Sequence, residues 1–326
     1  MENLSYISPG FVLVGVVEME NLKYVYSAIA LVCYGFIMFT CSMIVYTSWT
    51  EPSLHQPMYI LMSSMMVNVM FGSCSFLPKL AVDLLSGKSF ISLSECLAQA
   101  FCIQNFACLD LLSFSFMAYD RFLAVHHPLR YHTLMTNGKT FKIVATSWSL
   151  NSIVIILMTL LTGRLIFCGR NIDNAFCETM SMLYLACGDT SALNILGSIL
   201  TTSLFISCLA SIIYCYIGTL IICLRIPVEA RKKAMHTLAT HMMAFSISMS
   251  ACVFVVFRYR FKFNTFPKVA QIVFAASGLM FTLIVNPLIY GIRIEALRSK
   301  IIQNLQKILI KREINGEKKK KNDHEI

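Results

Sequence analysis

Seven stretches of about 20 or more predominantly apolar residues recur along this chain, approximately Tyr24 to Thr47, Met58 to Leu80, Gln99 to Val125, Phe141 to Leu165, Leu193 to Leu224, Met235 to Phe257 and Val269 to Gly291. As a helix rising 1.5 Å per residue, each is long enough to cross the roughly 30 Å hydrocarbon layer of a bilayer. With 57% of its 326 residues hydrophobic and 13% charged, a water-soluble domain of this length would struggle to cover itself with polar surface. The expected fold is all-α and integral to a membrane, a bundle of seven transmembrane helices over residues 24–291.

An odd number of spans puts the termini on opposite sides, and the Lys and Arg distribution decides which side is which. The segments Arg121 to Lys142, Arg225 to Lys233 and Arg293 onward hold 18 of the 27 basic residues. That bias predicts a multi-pass plasma-membrane protein with a cytoplasmic C-terminus and an extracellular N-terminal tail over residues 1–23. The N-terminal segment lacks a basic flank, apolar core and small-residue cleavage site, so the first helix is expected to act as the anchor. The sequon Asn3-Leu4-Ser5 then falls outside, where glycosylation of Asn3 is expected. After the last span, Ile294, Leu297, Ile301, Leu305, Ile308 and Leu309 recur at helical intervals among basic residues. They predict an amphipathic juxtamembrane helix over 292–310, lying on lipid, followed by a basic tail over 311–326 whose lysine run from Lys318 is attracted to anionic lipid.

Of 13 cysteines, nine fall in or beside apolar helices. Cys96, Cys168, Cys177 and Cys187 remain, all on the oxidising side, and spacing permits three ways of pairing them. Paired, they would hold the long loop from Arg164 to Asp189 as a lid over the bundle.

Asp110 is the one acid expected deep within a span, where an unpaired carboxylate is costly enough to find partners or stay protonated. Asn68, Ser113 and Asn286 are its expected polar neighbours around an internal sodium ion or water. One acid with scattered hydroxyls and amides supplies no convergent nucleophile and base, so catalysis is excluded. A transporter would show an internal repeat with matching broken helices, and none is visible. His126 and His127 point about 100° apart on a helix with no acid or cysteine partners, so no metal site is expected. Pro287 inside the last span removes a backbone donor and predicts a kink beside Asn286.

The segment SFSFMAYDRFLAVHHPLRYHTLM after Leu112 closely resembles the odorant-receptor signature at the inner end of the third helix. PMY at Pro57, RIPVEARKKAMHTLATH from Arg225 and NPLIYGIR from Asn286 join it in the expected order, with FCG at Phe167, FC at Phe176 and ACGDT from Ala186 in the second loop. The resemblance covers about Leu22 to Leu309, and LHQPMYI is similar to the fish branch of the family. It implies a rhodopsin-like receptor that binds a small organic odorant outside and activates a heterotrimeric G protein of the stimulatory olfactory type, raising cyclic AMP. A receptor of the same class for an endogenous ligand is the alternative. No nucleic-acid partner is expected.

The resemblance further implies the pairs Cys96–Cys177 and Cys168–Cys187. It assigns the G-protein switch to Asp120, Arg121, Tyr216, Lys233, His241, Asn286, Pro287 and Tyr290. A ligand cavity would lie between the outer halves of the third, fifth, sixth and seventh helices. Helical spacing nominates Ile103, Gln104, Ala107, Cys108, Leu200, Thr201, Leu204, Cys252, Val253, Val256, Ala276 and Leu279, a mostly apolar lining suited to a weakly polar ligand. The sequence departs from the family at Cys41, where asparagine is usual, and at Val69, where an acid is usual. Asp110 stands where the family carries a glutamate, so the internal polar network is thinned and shifted.

Overall fold

The structure is a computed structural model that describes residues 10–225, 242–250, 268–293 and 297–303, with single positions at 235, 239 and 306. It opens with strand β1 (Gly10–Leu13) and the short helix α1 (Val14–Glu18). The long helices follow: α2 (Lys23–Thr50), α3 (Pro57–Ser86), α4 (Leu93–His126), α6 (Asn137–Gly163), α8 (Ser191–Cys223) and α10 (Lys268–Arg293). Between them lie strand β2 (Phe90–Ser92), the turn-length helix α5 (Tyr131–Leu134), strand β3 (Asn171–Ile172) and helix α7 (Thr179–Leu185). Residues 242–250 form helix α9 and residues 297–303 form α11.

Six described helices are long and apolar enough to cross a membrane. They account for six of the seven expected spans, and α9 lies within the remaining one, whose other residues fall largely outside the described set. The protein is an all-α membrane bundle. Helix α4 is its axis, buried along much of its length and packed against α3, α6 and α8. Helices α2 and α8 bury one face and turn the other outward as lipid-facing Phe, Leu, Ile and Val, while α6 buries only Thr140, Ile155 and Thr162.

Two helix ends differ from the hydrophobic lengths for local reasons. Helix α3 runs unbroken through Pro78, continues past Leu80 and stops only at Gly87, whose φ of 65° is the left-handed conformation a helix-terminating glycine adopts. Helix α4 starts at Leu93 rather than Gln99 because Ser92 and Glu95 form a reciprocal cap. The Glu95 N–H donates to Ser92 Oγ at 3.4 Å and the Ser92 N–H to Glu95 Oε2 at 3.0 Å. The longer α3 brings Asp83 into a helix, near the β2 end, where Lys79 neutralises it at 3.0 Å.

The larger correction concerns the N-terminal segment, expected as a tail. From Gly10 it is folded: β1 is the middle strand of a three-stranded sheet ordered β2-β1-β3. Phe11 pairs with Ile91 antiparallel and Val12 with Asn171 in parallel. Phe11, Leu13 and Val16 are buried, so the segment's own apolar side chains hold it down. The sheet, α7 and both disulfides share one end of the bundle, and Asp120, α5 and α11 share the other.

Candidate functional site

One stripe of α4 runs the length of the site. Ile103, Ala107, Asp110, Phe114 and Arg121 are spaced by three, four or seven residues and therefore share a helix face. Near the disulfide end, Ile103 and Ala107 are partly buried, as are Phe101, Cys102 and Gln104 around them. Ala276 and Leu279 stand on α10 at the corresponding end, Ala276 buried and Leu279 partly so.

One turn further along the stripe sits the buried Asp110, whose Oδ1 accepts a hydrogen bond from Asn286 Nδ2 at 3.3 Å. Ser248 of α9 lies beside the same carboxylate but its hydroxyl is in no hydrogen-bonding geometry. Asn68 Nδ2 donates to the Phe106 carbonyl at 3.0 Å. That leaves Asn68 Oδ1, Asn286 Oδ1 and Ser248 Oγ buried and without hydrogen-bond partners among the described residues. Asn286 and Ser248 stand beside the Asp110 carboxylate, and oxygens of this kind suit a hard cation or water. One turn further along α4, Phe114 meets Phe245 of α9 edge to face, with ring centroids 5.7 Å apart.

At the far end Asp120 is fully buried. Its Oδ1 accepts from the Tyr131 hydroxyl of α5 at 2.7 Å, whereas Oδ2 and Arg121 Nε have no hydrogen-bond partner among the described residues. Burial, then the neighbouring Asp120 charge, pushes the Tyr131 phenol well above its ordinary range, so it remains a donor. Asp120 thus takes its hydrogen bond from Tyr131 while the Arg121 charge acts on it electrostatically. Tyr290 is fully buried and within electrostatic range of Tyr216, Asp110 and Arg121. Pro287 lies inside α10 between Asn286 and Tyr290. Lys300 of α11 reaches Glu51, after α2, at 3.1 Å.

At the disulfide end, Cys96 bonds Cys177 and Cys168 bonds Cys187, each pair with Cα atoms 5.3 Å apart. This selects one of the three pairings that spacing allowed, the one the resemblance implied. Gln99 fastens the same loop: its Oε1 accepts from the Cys177 N–H at 2.8 Å while its Nε2 donates to the Ser75 carbonyl at 3.0 Å.

Comparison with known proteins decides what this arrangement belongs to. The family model described as olfactory receptor matches residues 30–308. Olfactory receptor 2V1 of Mus musculus is 30% identical over 287 residues, 87% of this chain and 90% of its own. Olfactory receptor 6B2 of Homo sapiens is 30% identical over 294 residues, 90% and 93% of the two chains. The chain belongs to the olfactory receptor family. It is accordingly a multi-pass plasma-membrane receptor and not an enzyme. These relatives are mammalian and lend no support to the fish-branch resemblance.

Within this olfactory receptor the nominated residues do not all converge. Leu200 is 37% exposed and sits about 100° off the strip of α8 formed by Cys208, Ile212, Cys215 and Thr219, so it belongs to the lipid face. Thr201 shares that strip yet is exposed, its hydroxyl turned back to the Gly197 carbonyl at 2.8 Å, and Leu204 on its flank is partly buried. Cys108 is buried about 120° from the cavity stripe, and Gln104 Nε2 meets its Sγ at 3.6 Å. Ser113 is buried and donates its hydroxyl proton to the Leu109 carbonyl at 2.7 Å within its own helix. Cys252, Val253, Val256, Lys233, His241 and Asn3 lie outside the described residues, as does much of the amphipathic segment expected after α10. Sequence reasoning missed Ser248, Tyr131 and Gln99. Of these, Gln99 carried a usable signal, a polar residue one turn past Cys96 on the same helix face.

Proposed function

We propose that this olfactory receptor binds a small, weakly polar organic odorant beneath its disulfide-bound loop and activates a heterotrimeric G protein of the stimulatory olfactory type, raising cyclic AMP. The observation that carries the reading is the α4 stripe. It joins the cavity wall at Ile103 and Ala107 through Asp110 and Phe114 to Arg121, so a ligand pressing on one end bears on both polar clusters below it. Phe114–Phe245 and Asp110–Asn286 couple that stripe to α9 and α10, the elements that would move when Arg121 is released toward a G protein. In this reading the sheet and disulfides face outside and the Asp120 end faces the cytoplasm, in keeping with the oxidising environment disulfides need and the positive-inside bias.

The reading is tested in cells carrying a cyclic-AMP reporter, challenged with chemically diverse odorants, with Arg121→Ala as the signalling control. Agonist responses abolished by that substitution at unchanged surface expression are expected. A wild-type receptor that reaches the surface and binds an odorant without raising cyclic AMP would sink the coupling assignment.

The oxygens around Asp110 fit an internal sodium ion, held by the carboxylate with Asn286, Asn68 and Ser248. Replacing external sodium by choline should then shift agonist potency severalfold in the wild type and not in Asp110→Asn. The same shift in both receptors would rule the ion out.

A further inference from the structure

We propose that the N-terminal strap, residues 10–18, is the roof of the ligand cavity and its gate to water, with Gly15 as the position that seats it. The proposal rests on the cavity reading above for what is gated, but not for its test.

The strap lies on the second loop, and the loop lies on the cavity wall. Besides the pairing of β1 with β2 and β3, three backbone bonds fix the strap: Val12 N–H to the Arg170 carbonyl at 2.7 Å, Leu13 N–H to the Ser89 carbonyl at 2.7 Å and Gly15 N–H to the Asn174 carbonyl at 3.1 Å. Each partner is in a loop between transmembrane helices, so one short segment ties two separate loops together. Phe11 stands edge to face on Phe167, centroids 5.2 Å apart, beside the Cys168–Cys187 bridge. Asn174 is fully buried and held by Glu178, its Nδ2 donating at 2.7 Å.

Gly15 carries the contact inward. A Cβ on this residue would lie 2.6 Å from Ala175 N and 2.7 Å from Ile272 Cγ2, closer than packed atoms approach, and the first is backbone that cannot rotate away. Only glycine lets α1 rest on both. Ala175 leads directly into Phe176, which is buried with its ring 5.2 Å from Phe76 of α3, and Phe176 precedes the bridge to Cys96 of α4. Ile272 is buried on α10 one turn before Ala276, a residue of the cavity wall. The strap therefore lies directly against α10 and α3 through α1 and against α4 through β1, and the loop segment Ala175–Cys177 ties it to α3 and α4 a second time.

A seated strap closes this end of the cavity to water-borne solutes, and lifting it exposes the wall at Ala276. Because β1 is four residues long and no disulfide holds it, it can open locally while the disulfide-bound loop stays in place. This makes Gly15 a positioning residue for access and, through access, for ligand size.

The test reads accessibility rather than signalling, so it stands whether or not an odorant response is found. Ala276→Cys is introduced into the full-length receptor, and intact cells are treated with a charged, membrane-impermeant methanethiosulfonate, the unsubstituted receptor giving the background from native cysteines. The labelling rate at position 276 is compared with and without Gly15→Ala, which pushes the strap off Ala175, and Phe11→Ala, which removes a contact without adding atoms. Loss of one such contact, worth about 1.4 kcal/mol, should raise the open fraction, and hence the rate, about tenfold. Equal rates in the parent and in whichever strap variants reach the surface would overturn the proposal. A receptor that signals normally with equal rates would leave the function reading intact and remove the gate.

Discussion

Tyr131 contributes one hydroxyl, and the buried charge at the end of α4 depends on it. Asp120 is fully buried with Oδ1 bonded to that hydroxyl at 2.7 Å and Oδ2 unpartnered among the described residues. Removing the donor leaves the carboxylate with no hydrogen bond in this arrangement, which costs about 1–3 kcal/mol. In a balance between this arrangement and one where Asp120 reaches other donors, that is a shift of about 5- to 150-fold. Tyr131→Phe is thus expected to raise ligand-free cyclic AMP severalfold at matched surface density. An unchanged or lowered basal level would show that Asp120–Tyr131 does not hold the resting state. Burial keeps the phenol protonated, so the wild-type basal level should not change with pH through loss of this bond. At this scale the sequence was informative where a residue type is out of place and silent where it is repeated. Asp110 announces itself as an acid in an apolar run. Ser248 does not, because Ser246 and Ser250 flank it at equal intervals, and only the fold buries Ser248 while exposing the other two.

Helix α6 poses the problem of how an element stays attached with few buried side chains. Thr140, Ile155 and Thr162 are its buried residues, and most of its Leu and Ile face lipid. Lipid tails offer such side chains as good an environment as a neighbouring helix does, so apolar burial gives α6 little reason to dock. Polar contacts supply the reason. Trp148 Nε1 donates to Ser64 Oγ of α3 at 3.1 Å, and Asn151 and Ser152 both donate to Asn105 Oδ1 of α4. Interhelical hydrogen bonds of this kind average about 0.6 kcal/mol, so Asn105→Leu, which removes two, should destabilise the receptor by about 1 kcal/mol. The measurement is thermal unfolding of detergent-solubilised receptor, with a melting temperature lowered by about 2–4 °C. A Ser64→Ala change should lower it by less, since it removes one bond. If Asn105→Leu melts with the wild type, packing rather than these bonds holds α6. The existence of α6 was legible from apolar length alone. Its anchors were not, because Asn, Ser and Trp scattered through a span do not reveal which faces lipid.

For the whole molecule, apolar length gave the number of spans and the charge bias gave a direction, both properties that add along the chain and need no knowledge of contacts. What could not be read was the sheet at the disulfide end. Phe11, Ile91 and Ile172 become neighbours only after three segments distant in sequence are brought to one face, and a four-residue strand carries no periodicity that would announce it. The same limit applied to the disulfides, where spacing left three pairings and the fold selects one. Direction itself is a prediction that two independent features make together. The basic segment Arg121 to Lys142 lies at the Asp120 end, where α8 and α10 lead into the other two segments that bring the total to 18 of the 27 basic residues, and both disulfides lie at the opposite end. An epitope inserted between Gly87 and Lys88, exposed beside the sheet, should be stained on intact cells. One inserted between Leu129 and Arg130, where Leu129 is 97% exposed at the opposite end, should be stained only after permeabilisation. The reverse pattern would invert the receptor in the membrane. It would put the cavity on the cytoplasmic side and the disulfides in a reducing compartment, which no reading of this chain as an odorant sensor could survive.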